Sequence, residues 1–149
     1  MKVSRDADFL NRVVNHPSVF PWVSLGREGP LDLSPVLDLE STVFLADETG
    51  GFLFVDCGGG IYEVHTQFLP EGRGHGVLKK AREAARYMFT HTPCLAVRTF
   101  VAYGNDAAHK LTLAMGFDEV GEMEILGKPG RLFLLTVKGW VCQQQQYLD

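Results

Sequence analysis

Apolar residues recur at two different periods along the chain, and each change of period marks an element. Phe9, Leu10, Val13 and Val14 fall at helical spacing between Asp6 and Asn15. His16-Pro17 closes that run, because the residue before a proline is driven out of the helical region. From Ser18 to Glu40 the apolar positions lose their period and Pro21, Gly26, Pro30 and Pro35 interrupt them, so the reading there is a short helical piece over Phe20 to Leu25 followed by loop. Thr42 to Asp47 and Gly51 to Asp56 are then β-rich runs joined by Glu48-Thr49-Gly50, which predicts a hairpin. Gly58-Gly59-Gly60 leads into Ile61 to Leu69, where Tyr62, Val64 and Phe68 alternate with Glu63, His65 and Gln67. A third strand with one apolar and one polar face follows from that period of two.

The period next lengthens again. Val77, Leu78, Ala81, Ala84, Ala85 and Met88 make one apolar side of a helix, with Lys79, Lys80, Arg82, Glu83 and Arg86 outside it, and His91-Thr92-Pro93 ends it. Cys94 to Tyr103 reads as strand, and Asn105 to Met115 as a helix capped by Asn105 or Asp106 and stopped by Gly116. Strand, helix, strand implies a parallel pair joined by a right-handed crossover. Asp118 to Leu126 and Arg131 to Lys138, linked by Gly127-Lys128-Pro129-Gly130, predict a closing hairpin, and Gln143 to Gln146 a polar tail.

The 149 residues suit one domain. Its expected parts are an N-terminal helical region over 1–41, a core over 42–138 and a C-terminal tail over 139–149. Fourteen Lys and Arg against eighteen Asp and Glu leave a net charge of −4, so no global positive field exists to draw in nucleic acid. No apolar run reaches the roughly 18 residues of a membrane span, and no apolar segment follows the first basic residues, so a cytoplasmic protein without a membrane partner is expected. Cys57, Cys94 and Cys142 form no C-x-x-C pair and read as reduced, mostly buried thiols. The five histidines show no ligand spacing, so no metal is expected. Phe20, Trp22, Phe44, Phe52 and Phe54 read as core, and Asp6, Asp8, Glu28, Asp32, Asp38 and Glu40 as either solvated loop charge or a hint of a cationic substrate.

The densest chemical signal is Leu69-Pro70-Glu71-Gly72-Arg73-Gly74-His75-Gly76-Val77, where three glycines in five positions join a strand to a helix. Backbone N–H groups there, added to the unpaired donors of the helix's first turn, suit a diphosphate, and glycine lets it approach where a Cβ would collide. A flexible turn without a ligand would have the same composition. No Gly-Lys-Ser/Thr follows, which excludes a P-loop, and G-R-G-H-G after an antiparallel meander is not the Rossmann fingerprint.

The segment Glu71-Gly72-Arg73-Gly74-His75-Gly76 resembles the phosphate loop Q/R-x-x-G-x-G/A of the GNAT superfamily of N-acetyltransferases. Downstream, Asn105 to Phe117 is similar to that family's N-x-x-A-x-x-L-Y-x-x-x-G-F segment, and the likeness in element order runs from about Thr42 to Val137. The resemblance implies an α/β (α+β) fold with a mixed, mostly antiparallel sheet, splayed at its centre and flanked by helices on both faces. It further implies acetyl-CoA as co-substrate in a wedge between the strands ending at Leu69 and near Tyr103. Gly72, Arg73, Gly74, His75, Gly76 and Val77 would then hold the diphosphate on a helix starting at Gly74, with Phe68, Leu69, Glu71 and Asn105 completing the cofactor site. Backbone N–H groups near Gln67 to Leu69 would hold the thioester oxygen.

Two positions depart from the family pattern: Glu71 stands for the usual Gln or Arg, with Arg73 able to offset its charge, and Thr112 stands where many members carry a tyrosine acid. The implied reaction is transfer of an acetyl group to a primary amine, on a small molecule or a protein. Glu63 and His65 lie two apart on one strand face and are the catalytic candidates for the acceptor's proton, although a solvent-facing strand would also be polar there. A homodimer completing the cleft, and a non-catalytic CoA-binding or structural interaction module on the same fold, both stay open.

Overall fold

The computed structural model describes the backbone of residues 1–148 and the side chains of residues 1–145. The alternating segments assemble one sheet from β1 (Lys2–Val3), β2 (Val43–Asp47), β3 (Gly50–Asp56), β4 (Ile61–Phe68), β5 (Ala96–Ala102), β6 (Asp118–Ile125) and β7 (Lys128–Thr136). Their spatial order is β1-β2-β3-β4-β5-β7-β6. Every neighbouring pair is antiparallel except β4 and β5.

Strand alternation sends successive side chains to two different cores. On one face Phe52, Phe54, Tyr62, Phe68 and Val97 meet Ala81, Ala84, Ala85 and Met88 of α4 (Gly76–His91). The small alanines let that helix lie close to the sheet, and α5 (Asp106–Ala114) packs beside it through Leu111. On the opposite face Phe44, Ala46 and Leu53 are covered by Leu10 and Val14 of α1 (Ala7–Val14) and Leu37 of α3 (Ser34–Leu37), with Val23 of α2 (Phe20–Val23) at the margin. Asp6 caps α1 by accepting from Phe9 N at 3.0 Å. The Arg5 guanidinium donates to the carbonyls of Leu37 and Leu39, fastening the N-terminus to the end of α3 and the loop after it.

The two central strands are joined over only three rungs, Ile61↔Ala96, Tyr62↔Val97 and Glu63↔Arg98. Past them β4 keeps its pairing with β3 as far as Phe68↔Gly50, and β5 keeps its pairing with β7 as far as Ala102↔Gly130. Each strand thus stays in its own half of the sheet while the halves part. The mixed sheet, its central splay and helices on both faces agree with the expected fold class.

Several local expectations are corrected. β1 and α3 had no signal: two residues are too few for a period, and Pro35 read as a breaker stands in the first turn of α3, where a missing N–H costs nothing. Helix α4 begins at Gly76 and not at Gly74, whose φ of +106° is outside the helical region. The last hairpin turns on Leu126-Gly127 alone, both at positive φ, so Pro129 and Gly130 belong to β7. The tail is helical: α6 (Val137–Leu148) starts where Thr136 Oγ1 accepts from Gly139 N at 3.0 Å, and its Trp140 packs on Phe89. Cys57 and Cys142 are exposed, while Cys94 is buried, which pushes its thiol up to about 11. No described helix is long and apolar enough to cross a membrane.

Candidate functional site

Where β4 and β5 part, the sheet opens into a cleft of about 580 Å3. One wall is β4 with the start of α4, the other is β5 with α5, and the residues around α2 close one end. Volume of this order suits an organic ligand with a few placed polar groups.

The backbone at the opening is arranged by strand alternation. Leu69 N donates to Thr49 O at 2.7 Å, on the β3 side. Val64 O accepts from Thr99 Oγ1 at 3.3 Å, on the β5 side. N–H and C=O of one strand residue point the same way and reverse at the next, so the N–H groups of Thr66 and Phe68 face the opened side. Thr66 is thereby added to the expected donors, and Gln67 and Leu69, whose N–H groups point to β3, are removed from them.

The loop beyond Phe68 is shaped from within. Gly72 N donates to Leu69 O and Arg73 N to Pro70 O, forming a 3-10 turn over Pro70–Gly72. A Cβ on Gly72 would meet the Thr49 side chain, so this glycine serves packing. Gly74 supplies the positive φ, and around Gly76 a Cβ would meet nothing within 4 Å. His75 precedes α4 without a side-chain cap, so the donors of the helix's first turn are left to another partner. Val77 N is turned to Gly74 O. A concave, uncapped helix start with open space at Gly76 fits an anionic group such as a diphosphate.

The charged residues of this loop do different work from that expected of them. The Arg73 guanidinium donates from Nε to Phe68 O at 3.1 Å and from Nη2 to Ser18 O and Ser18 Oγ. It therefore ties the loop to the segment before α2 and does not offset Glu71, which is exposed on the 3-10 turn. Lys80 is engaged by Asp47 at 2.6 Å, while Lys110 lines the cleft from α5. Asn105 caps α5, accepting from Ala108 N at 3.3 Å, and stands in the cleft wall. Thr112 also lines the cleft, but its hydroxyl donates to Ala108 O at 2.7 Å and so is held by its own helix.

On the other face of β4, Glu63 and His65 come together as their spacing requires: Glu63 Oε1 is 3.3 Å from His65 Nε2. Sequence reasoning missed Arg98, which is beside Glu63 on the last parallel rung and donates to Glu63 Oε2 at 3.1 and 2.9 Å. A lone arginine within Cys94 to Tyr103 was the available signal. Loss of hydration in the cleft holds the His65 imidazolium pKa below its usual value, against the attraction of Glu63, and the charges of Arg27 and Arg98 add to the lowering. A neutral imidazole facing open space can accept a proton. Gln67, the third polar residue of the stripe, is buried and donates to Gly51 O at 3.1 Å, so it braces the β3–β4 pair. Trp22 is 48% exposed and lines the cleft, in contrast to the core place expected of it.

No protein-family model and no curated protein matches the sequence. Solved structures do match in fold. The aminoglycoside acetyltransferase AAC(6')-Ib bound to coenzyme A superposes with a TM-score of 0.75 at 15% identity, over 96% of this chain and 97% of that one. The spermidine N-acetyltransferase of Vibrio cholerae, in complex with CoA and spermine, gives 0.74 at 16% identity, over 91% and 92%. The ribosomal-protein-S5-alanine acetyltransferase of Vibrio fischeri gives 0.71 at 14% identity, over 91% and 90%. With the mixed, centrally splayed sheet flanked by helices, and superpositions that cover nine-tenths or more of each chain, the chain has the fold of the GNAT N-acetyltransferases.

Proposed function

We propose that the chain moves an acetyl group from acetyl-CoA to a primary amine by direct attack. The carrying observation is the continuity of the cleft, which runs from the uncapped start of α4 to Glu63 and His65 on the opposite side of the sheet. The coenzyme A held by the structural neighbours, and the acetyl-CoA held in one structure of AAC(6')-Ib, support the reading.

Bound in the wedge, acetyl-CoA supplies a thioester carbonyl and a thiolate leaving group. The N–H groups of the Gly74–Gly76 loop and of the start of α4 would take the diphosphate, and the N–H of Phe68 or Thr66 would polarise the carbonyl oxygen. The amine nitrogen bonds to the carbonyl carbon as the C–S bond breaks. A free alkylamine is mostly protonated near neutrality, and freeing it costs on the order of 4 to 5 kcal/mol. His65 takes that proton, directly or through a water, with Glu63 steadying the imidazolium. The departing thiolate, with a pKa of about 8.5 for a thiol, needs no strong acid.

Thr112 favours a second reading, a CoA-binding module without turnover, because its hydroxyl is held where family members place an acid. Titration calorimetry with acetyl-CoA followed by thiol-release assays over a panel of amines separates the two. Binding with turnover is expected. Binding without turnover on any amine leaves the module, and no heat at millimolar acetyl-CoA removes both.

A further inference from the structure

The acceptor end of the cleft has a character that the composition of the chain does not suggest. The chain as a whole is acidic, with a net charge of −4. Yet Glu63 is the one carboxylate among the described residues that line the cleft, and Arg98 already neutralises it. The acidic residues near the N-terminus lie elsewhere: Asp6 caps α1, and Asp32 accepts from Asn11 and from the Ser34 hydroxyl and N–H. None of Asp6, Asp8, Glu28, Asp32, Asp38 or Glu40 is in the cleft wall.

The wall is instead largely apolar, with Lys110 in it and further cations behind it. Arg27, in the loop after α2, and Arg98 both act on His65. The side chain of Lys128 at the start of β7 runs past Gly26, where a Cβ would lie 3.7 Å from Lys128 Cε, next in sequence to the wall residue Leu25. Between these charges the wall is made by Trp22, Val23, Leu25, Phe100 and Ile125. A polycation entering here would lose water without finding carboxylates, and would meet like charge. An apolar body with one anionic group would find both of its partners.

We propose that the acceptor is an amine with an apolar or aromatic body and a carboxylate near the amine, of the kind an aromatic α-amino acid presents, and not a polyamine or an amino sugar. The apolar body lies on Trp22 and Phe100, the carboxylate faces Arg27 and Lys128, and the amine is left toward His65. This rests on the transferase reading given above.

The test is thiol release by the full chain with acetyl-CoA and three probes: L-phenylalanine, 2-phenylethylamine and spermidine. The expected order of kcat/KM is phenylalanine, then phenylethylamine, then spermidine, each step about tenfold or more. In Arg27→Glu the ratio of phenylalanine to phenylethylamine falls about tenfold, and unchanged circular dichroism shows that the variant is folded. Spermidine turned over as well as phenylalanine overturns the acceptor assignment and leaves acetyl transfer standing. No release with any probe overturns the transferase reading only when the wider amine panel is silent too, and release with a panel amine outside this class overturns the acceptor assignment. Calorimetry of N-acetyl-L-phenylalanine against N-acetylspermidine on the CoA-loaded protein then still decides the acceptor chemistry: preference for the former supports it, and preference for the latter or equal binding sinks it.

Discussion

Arg98 donates from two nitrogens to one and the same atom, Oε2 of Glu63, and leaves Oε1 to His65. The carboxylate is thereby held between a permanent cation and a titratable one, on the last rung before the strands part. Its orientation is set by Arg98 and its charge is shared.

Replacing Arg98 by Met removes a cation that disfavours the imidazolium and frees Glu63 to favour it. Both changes raise the His65 pKa. The acid limb of the kcat–pH profile is expected to move to higher pH, with kcat at pH 7 down by about tenfold, within the range of a misplaced proton acceptor. Arg98→Lys, with a point charge in place of the fork, should shift the limb less. A limb that stays in place in Arg98→Met would remove Arg98 from any role beyond packing.

In the unaltered protein that limb has a definite side. His65 is held below its ordinary value of 6.5, chiefly by lost hydration, so the neutral form, the one proposed to take the proton, prevails at neutral pH. At saturating substrates kcat should be level near pH 7 and fall with a midpoint below 6.5. His65→Gln should abolish that step and lower kcat by roughly 10²- to 10⁴-fold. A midpoint above 6.5 would contradict the desolvated site.

Gly76 tests the diphosphate seat separately from the chemistry. A Cβ there meets nothing within 4 Å, so Gly76→Val should fold with a melting temperature within a few degrees of the original. Its branched side chain would fill the space proposed for the phosphate. A Kd for acetyl-CoA raised tenfold or more is expected, a loss of about 1.4 kcal/mol. Unchanged affinity would place the diphosphate elsewhere.

Asp47 offers a stability test away from the cleft. Partial burial pushes its pKa up, but bonds from Lys80 and from the Thr49 hydroxyl and N–H outweigh that and leave it below 3.8. A lowered folded-state pKa adds stability above pH 3.8 that is lost as pH falls through the folded value. Asp47→Asn should therefore cost about 1 to 2 kcal/mol at pH 7 by urea unfolding. That difference from the original protein should shrink toward zero in acid below that folded value.

The elements with a sustained period were readable before any coordinates: the meander of β2, β3 and β4, the alanine face of α4, and the crossover to β5. Glu63 and His65 followed from a period of two, and the glycines from the need for open backbone. Arg98 did not, because side-by-side placement on different strands depends on register, which is set by contacts far apart in sequence. The fates of Arg73 and Leu69 were equally hidden, since their partners Ser18 and Thr49 come from other parts of the chain. Gln67 looked like a member of the polar stripe, yet pairing with Gly51 makes it structural.

The three-rung junction between β4 and β5 has a mechanical meaning. As far as strand pairing goes, the two half-sheets are joined along one short seam, with the Thr99 hydroxyl bridge and the shared core under α4 as their other ties. A molecule seated in the gap touches both leaves and takes over the fastening that the absent rungs would have provided. Filling the wedge therefore stabilises the folded chain by mass action, at the cost of whatever freedom the two leaves lose when they are clamped together.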